Sequence, residues 1–422
     1  MAVAALTCSV LSTTSAWADD SPGKGSILRV DTHADRADAH PGDGECADAH
    51  GDCSLRAAVQ EANAAGGGEI RLDRGTYELT IDGRDEDASA TGDLDVTTRI
   101  AIHGDDATVD ARGIDRVLDV AAGAHLRLDE VTITGGAAEG TGLPASGGGV
   151  RNAGELEVHD STITCNTAVR AGGGIEASAD STTTISRSTL SKNSTGPGPG
   201  NGGGLHITAS GTVTVDRSTV TGNTAAAEGG GLWNDTGSTM HVSRSVISDN
   251  TASGPEATNG GGGLFTIGGE LVVDRSEIRG NSADGTSGSG GGILNDAGTL
   301  VVERSVIEHN SASRAGGGIE ANVGTTTLDR TVLTRNTTGA NPGNGGGLHL
   351  TGAGTVTIDR GTVTRNTAAA EGGGLWNSAP GTMTVPRTEI RRNSAPVGPD
   401  VFQDGQGTGF TVDGEVVPPT EG

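Results

Sequence analysis

Large side chains are scarce: the 422 residues include one tyrosine, three phenylalanines and three tryptophans. A single hydrophobic core stops growing at about 250–300 residues. One deep globular core is therefore excluded, and the alternative is a narrow core of Val, Ile, Leu and Thr repeated along the chain. Positive charge is short as well, with 28 Lys and Arg against 54 Asp and Glu, a net charge of −26. That field repels phosphate backbones and anionic membranes, so nucleic acid is not an expected partner. No apolar run approaches the roughly 20 residues of a spanning helix, which argues against membrane insertion. The Gly-x-Ser-x-Gly elbow, the phosphate loop and the His-Glu-x-x-His zinc motif are all missing, and neither a cofactor nor a metal is expected.

The first residues, 1–18, run apolar through Leu11 and end in Ala16-Trp17-Ala18 before Asp19 and Asp20. This is the pattern of a cleaved signal peptide, and it predicts a secreted, extracellular protein. Cys8 leaves with that segment. Of the remaining cysteines, Cys46 and Cys53 enclose a short acidic loop, and in an exported chain a disulfide between them is the economical reading. Cys165 is left over, either an inert thiol or a partner of one of the first two.

Glycine is abundant, at 73 residues, and its distribution decides the fold. Three glycines followed by an aliphatic residue recur with the aliphatic at Val150, Ile175, Leu205, Leu232, Leu264, Ile293, Ile319, Leu348 and Leu375. The mean interval is about 28 residues, within the range of solenoid repeats. Asparagine followed by Ser or Thr keeps step, at Asn166, Asn193, Asn223, Asn250, Asn281, Asn310, Asn336, Asn366 and Asn393. From each aliphatic to its asparagine the count is 16 to 18, whereas from asparagine to the next aliphatic it is 9 to 14. One stretch is rigid and the other is a loop.

The rigid stretch reads as strand, corner, strand: Thr212-Val213-Thr214-Val215-Asp216, then Arg217-Ser218, then Thr219-Val220-Thr221, with period-two alternation of β-branched residues. With the strand at the glycine mark this predicts an all-β, single-stranded right-handed parallel β-helix with three strands per coil. A longer echo of 143 or 144 residues links Ile175 to Ile319, Leu205 to Leu348 and Leu232 to Leu375, so a five-coil block is duplicated. Before the coils, Ser54 caps an amphipathic helix with Leu55, Ala58, Val59 and Ala62 on one face, stopped by Gly66. A solenoid end exposes core and strand edges, and a short N-terminal capping helix answers that need. The organisation expected is a signal peptide at 1–18, an N-terminal cap with the first coils at 19–140, glycine-marked repeats at 141–400, and a tail at 401–422.

Cys53-Ser54-Leu55-Arg56 followed by Glu61-Ala62-Asn63 resembles the CSLREA domain, a secreted bacterial module. The resemblance extends through Gly75-Thr76-Tyr77, Gly92-Asp93-Leu94-Asp95-Val96 and Asp115-Arg116-Val117, with Ala57 standing where the motif has glutamate. The glycine and asparagine marks look like the repeats of polymorphic outer-membrane-protein passengers, surface adhesins on the pectate-lyase-like β-helix. Both resemblances imply an extracellular setting.

Several columns carry polar residues. The asparagines are expected to stack as a hydrogen-bonded ladder along the solenoid. Arginines at 187, 217, 244, 275, 304, 330, 360 and 387, five of them preceded by Asp or Glu, form a corner column that offsets its own charge. Asp82, Asp85, Glu86, Asp87, Asp93 and Asp95 offer oxygens for calcium but match no EF-hand, and a solvated acidic loop is the reading adopted. Thr-x-Thr recurs at 182, 212, 325, 355 and 382, yet Glu155, Glu157, His241, Val272 and Val301 interrupt that face and exclude an ice-binding surface.

The residue after each glycine-marked aliphatic should point away from the core. That column contains Glu176, His206 and Trp233, and again Glu320, His349 and Trp376. Glycines beside it would leave an open floor, aromatic faces stack on sugar rings, and His or Glu hydrogen-bond hydroxyls. The six residues are therefore the candidate binding site for a polysaccharide or cell-surface glycan, adhesin-like and non-catalytic. The alternative is a polysaccharide lyase or glycoside hydrolase. Glu176 and Glu320 lie five coils, about 24 Å, apart, too far for the roughly 5–9.5 Å of paired glycosidase carboxylates.

Overall fold

The computed structural model describes residues 26–84 and 86–420. The expected signal peptide, with Cys8, lies outside them. The rest winds into stacked coils whose strands pair in parallel. A 12-stranded sheet runs from Leu94–Val96 to Val401–Gln403 and contains every glycine-marked strand. Each mark pairs with the next, Val150 with Ile175, Ile175 with Leu205 and Leu205 with Leu232. All nine aliphatics from Val150 to Leu375 are fully buried.

The strand-corner-strand reading holds in each coil, as in Thr212–Asp216 and Thr219–Thr221. Val213, Val215 and Val220 point into the core, and Thr212, Thr214 and Thr219 point outward. Burying each such valine or leucine contributes about 1.5–3 kcal/mol. Beyond the three expected strands, two residues after the asparagine pair across coils in an eight-stranded sheet from Ala137–Ala138 to Thr337–Thr338.

Two polar ladders hold the corners. Each asparagine side chain donates to the next, Asn193 to Asn223 at 3.0 Å and Asn223 to Asn250 at 2.9 Å. The last, Asn393, donates to the carboxylate of Asp400 at 2.9 Å. A second ladder went unread in the sequence: the backbone N–H of Ser188 donates to Ser218 Oγ, and that of Ser218 to Ser245 Oγ, at 3.1 and 3.0 Å. The corner arginines adopt left-handed backbone, φ +48° at Arg217, and reach either an acid of the preceding coil, as Arg244 does to Asp216 at 2.8 Å, or the acid just before them, as Arg217 does to Asp216 at 3.1 Å. These exposed pairs offset repulsion and add little stability each.

The helix Leu55–Ala64 covers the N-terminal end, with Ser54 Oγ accepting from the Ala57 N–H and Leu55, Ala58, Val59 and Ala62 buried. Its polar residues staple flanking segments. Buried Arg56 donates to Asp35 at 2.7 Å and to the carbonyls of Gly92 and Asp93, and Glu61 accepts from the Gly44 N–H at 2.9 Å. Ala57 is fully buried. Cys46 and Cys53 form the expected disulfide, and Cys165 is a free, exposed thiol. At the other end, the segment 401–422 is partly strand: Val401–Gln403 completes the glycine sheet, and buried Phe410 opens a strand that pairs antiparallel with Glu415–Val416.

Candidate functional site

The six sequence-selected residues do share one column. Glu176 pairs with His206, His206 with Trp233, Glu320 with His349, and His349 with Trp376. They are not solvent-facing, which corrects the reading above. Glu176 is fully buried, His206, Glu320 and His349 are 3% exposed, and Trp233 and Trp376 are 7% and 8% exposed. Their side chains leave the main core, but the chain preceding each glycine mark folds back over them.

The glycines explain how that roof comes so close. A Cβ on Gly204 would lie 2.6 Å from the Gly231 carbonyl oxygen, and Gly202 sits at φ +63°. The space beside the column is filled by backbone of adjacent coils, not left as an open floor. Beneath the roof His206 stacks on Trp233 with ring centroids 4.3 Å apart, and Trp233 on Phe265 at 5.7 Å. The second copy repeats this as His349, Trp376 and Phe402, at 4.2 and 6.0 Å. Glu176 lies 3.0 Å from His206 Nδ1, and Glu320 the same distance from His349 Nδ1. The indole N–H of Trp233 donates to Glu228, a carboxyl that burial pushes above its usual range. Each side-chain polar group named here finds a partner inside the protein, so the arrangement works as a second, polar-aromatic core.

The same column begins upstream with Asp95 and Asp119, which pair in register with Arg151. Asp93, Asp95 and Asp119 bring oxygens within 4.8 Å of one another. Two of the acids expected in a solvated loop, Asp93 and Asp95, are thus buried. Asp85 lies outside the described residues. Arg116 reaches Asp93 at 2.9 Å, Arg151 reaches Asp119 at 2.7 Å, and the Ser89 N–H donates to Asp95 at 2.6 Å. Guanidinium groups meet two of these three acids, while burial and the neighbouring carboxylates push Asp93 and Asp95 above the usual carboxylate range.

A site that the sequence reading missed lies on the outer face of the long-strand sheet, over the first coils. His103 pairs in register with Asp129 and Asp129 with His159, while His125 pairs with Glu155 and Arg127 with Glu157. Arg127 grips Asp129 with two bonds of 2.7 and 3.0 Å and reaches Glu157 at 3.4 Å. Burial alone would raise Asp129, but bonds from His103 and Arg127 hold it well below the usual carboxylate range. His159 holds Glu157 down in the same way, from 3.2 Å. His125 stands 3.4 Å from Glu155 and 3.6 Å from Glu157, and burial, with Arg99 and Arg127 adding to it, lowers its pKa. His125, Glu155 and Glu157 form the other group whose ligand atoms converge within 4.8 Å among the described residues. The signal was present in His125-x-Arg127-x-Asp129 and Glu155-x-Glu157-x-His159, charged residues at every outward position of adjoining strands. On the next coils the same face carries Thr182, Thr184, Thr212 and Thr214.

The architecture defines a single-chain parallel β-helix. A family model described as a right handed beta helix region matches residues 117–247. No curated protein matches the chain. Among solved structures, pectate lyase Pel9A is 12% identical with a TM-score of 0.40, covering 87% of this chain and 80% of that one. The A-module of Azotobacter vinelandii mannuronan C-5 epimerase AlgE6 is 11% identical with a TM-score of 0.37, covering 83% and 93%. Likenesses this distant bear on neither substrate nor chemistry.

Proposed function

We propose that the protein is exported and binds an extracellular polysaccharide or cell-surface glycan without cleaving it, the sugar chain lying along the outer face of the long-strand sheet. The observation that carries this reading is the network from His103 to His159, half-buried on rigid strands and continued by rows of threonine hydroxyls at about 4.8 Å per coil. Imidazole, carboxylate and hydroxyl groups fixed in that way match the alternating donors and acceptors of a sugar chain. The CSLREA-like segment and the adhesin-like repeats support the extracellular setting.

A glycan array probed with the parent, His159→Ala, Thr184→Arg and Thr214→Arg tests it. Binding should be lost in the arginine variants, whose side chains obstruct the face, while their unfolding midpoints stay unchanged. Equal binding by all four proteins removes the reading. The lyase or hydrolase alternative has its own observation: His125, whose pKa burial lowers, is flanked by two carboxylates, an arrangement open to a general base. New reducing ends or unsaturated sugars from a bound glycan would decide for catalysis.

A further inference from the structure

One line of charge on the solenoid makes no ion pair or hydrogen bond among the described residues, Glu389 being a neighbour of Arg392 but bonded to Arg391. Arg335, Arg365 and Arg392 occupy the same corner of three consecutive coils, each immediately before a ladder asparagine and each in left-handed backbone, φ +55°, +58° and +58°. The residues before them are in register, Thr334 with Thr364 and Thr364 with Arg391. The three therefore repeat at about 4.8 Å along the axis. All three are exposed, and among the described residues no ion pair or hydrogen bond engages their guanidinium groups. Every arginine of the neighbouring corner column is, by contrast, paired with an acid, as Arg360 is with Asp329 and Arg387 with Asp359.

The duplicated block supplies the comparison that separates function from chance. At the equivalent corner the first copy has Lys192, Gly222 and Asp249, in the same left-handed backbone at φ +55°, +64° and +56°. Over the paired positions Ser191-Lys192, Thr221-Gly222 and Ser248-Asp249 the charges cancel, +1 and −1. Over Thr334-Arg335, Thr364-Arg365 and Arg391-Arg392 they sum to +4, with Glu389 paired to Arg391. The backbone thus accepts lysine, glycine or aspartate there, and arginine is not required for the fold. Stacking three unpaired cations at this spacing costs repulsion that an external anion would relieve.

We propose that the Arg335–Arg365–Arg392 stripe binds an anionic polysaccharide lying along the solenoid axis, with one acid group meeting each coil. The spacing favours a chain that carries one carboxylate or sulfate per sugar. Duplex nucleic acid presents a phosphate about every 3.4 Å on each strand, out of step with the coils. The protein's net negative charge does not prevent the contact, because screening confines fields to about 8 Å at physiological salt. This stripe lies on a different edge from the glycan face proposed above, and neither reading depends on the other.

The test exchanges the two copies' corners in the full-length protein: Arg335→Lys, Arg365→Gly and Arg392→Asp together, each residue already accepted in that conformation. Binding to polygalacturonate and dextran sulfate is measured against neutral dextran and duplex DNA at low and moderate salt. The parent should bind the acidic glycans, weaken as salt rises, and lose about tenfold or more in affinity in the triple variant. Its unfolding midpoint and its neutral-glycan binding should not move. The reverse exchange, Lys192→Arg, Gly222→Arg and Asp249→Arg, should add affinity. A parent that ignores acidic glycans, a triple variant that binds them as tightly, or a preference for DNA would each overturn the proposal.

Discussion

Replacing Asn223 with alanine tests the asparagine ladder at its most enclosed point. The residue is fully buried. Its Nδ2 donates to the Leu190 carbonyl at 3.0 Å and to Asn250 at 2.9 Å, and its Oδ1 accepts from the backbone N–H and the side chain of Asn193, both at 3.0 Å. Alanine removes all four bonds and leaves two buried donors unpaired, the Asn193 N–H and one Asn193 amide hydrogen, while the Leu190 carbonyl stays within its strand ladder. At about 1–3 kcal/mol for each orphan, the loss should be about 2–6 kcal/mol, with water entering the small void setting the lower end. Urea unfolding followed by far-ultraviolet circular dichroism measures it, and hydrogen exchange should place the loosening in the coils around residues 193 to 250. Thr224→Ala, at the exposed neighbour, should change stability by less than about 0.5 kcal/mol. A loss below about 1 kcal/mol for Asn223→Ala would show that water replaces the ladder and that the corners are held by strand pairing alone.

Three further outcomes follow from buried groups. Trp376→Ala should cost about 3–5 kcal/mol in thermal or urea unfolding, since its ring is roofed and stacked between His349 and Phe402; an unchanged midpoint would mean the ring stands in solvent. Arg56→Ala should cost about 3–5 kcal/mol by stranding the buried Asp35 carboxylate, read from the same curves. Asp93 and Asp95 are pushed up to about 8 and about 7, burial being the largest cause. Their folded forms favour the proton, so the stability they contribute is full below about pH 4 and falls as pH rises toward 8. Asp93→Asn should flatten that decline when midpoints are measured from pH 4 to 9, and an unaltered slope would refute it.

The coil was legible because its requirements recur. Leu205 and Leu232 must be apolar, Gly204 must admit a carbonyl, and Asn223 must bridge to Asn250, and the same demands return at every turn of chain. Exposure was not legible at Trp233 or His206. Period-two alternation says that a side chain leaves the core, but not whether a loop returns over it. That return depends on the variable stretch before each glycine mark, where Glu228 meets the Trp233 indole. The network around Arg127 escaped for the opposite reason: it straddles the first mark, half of it on the strand before Val150 and half on the strand after, although its alternating charges were plain in the sequence. The ladder's end was hidden too, because Asp400 is the one acceptor that belongs to no asparagine mark.

That ending shows how the repeats divide structure from recognition. Every ladder asparagine must donate two hydrogens and accept on its oxygen, which an amide does; the last position has no coil beyond it and needs only to accept, and a carboxylate serves. A residue present in each coil is thus answered by its own copies above and below, and its hydrogen-bonding capacity is used up within the solenoid. Ligand recognition needs the reverse, groups whose partners are not the next coil. The His103–His159 face meets that condition only in part: Arg127 reaches Glu157 and His159 reaches Ser186 on the following coils, but its columns change identity from strand to strand, running from histidine through aspartate to histidine and ending on Ser186. The Arg335–Arg392 corner meets it because three like charges cannot satisfy one another. The stacked Glu, His and Trp column fails it, for each of its named polar groups is answered inside the protein, and its duplication preserves a core.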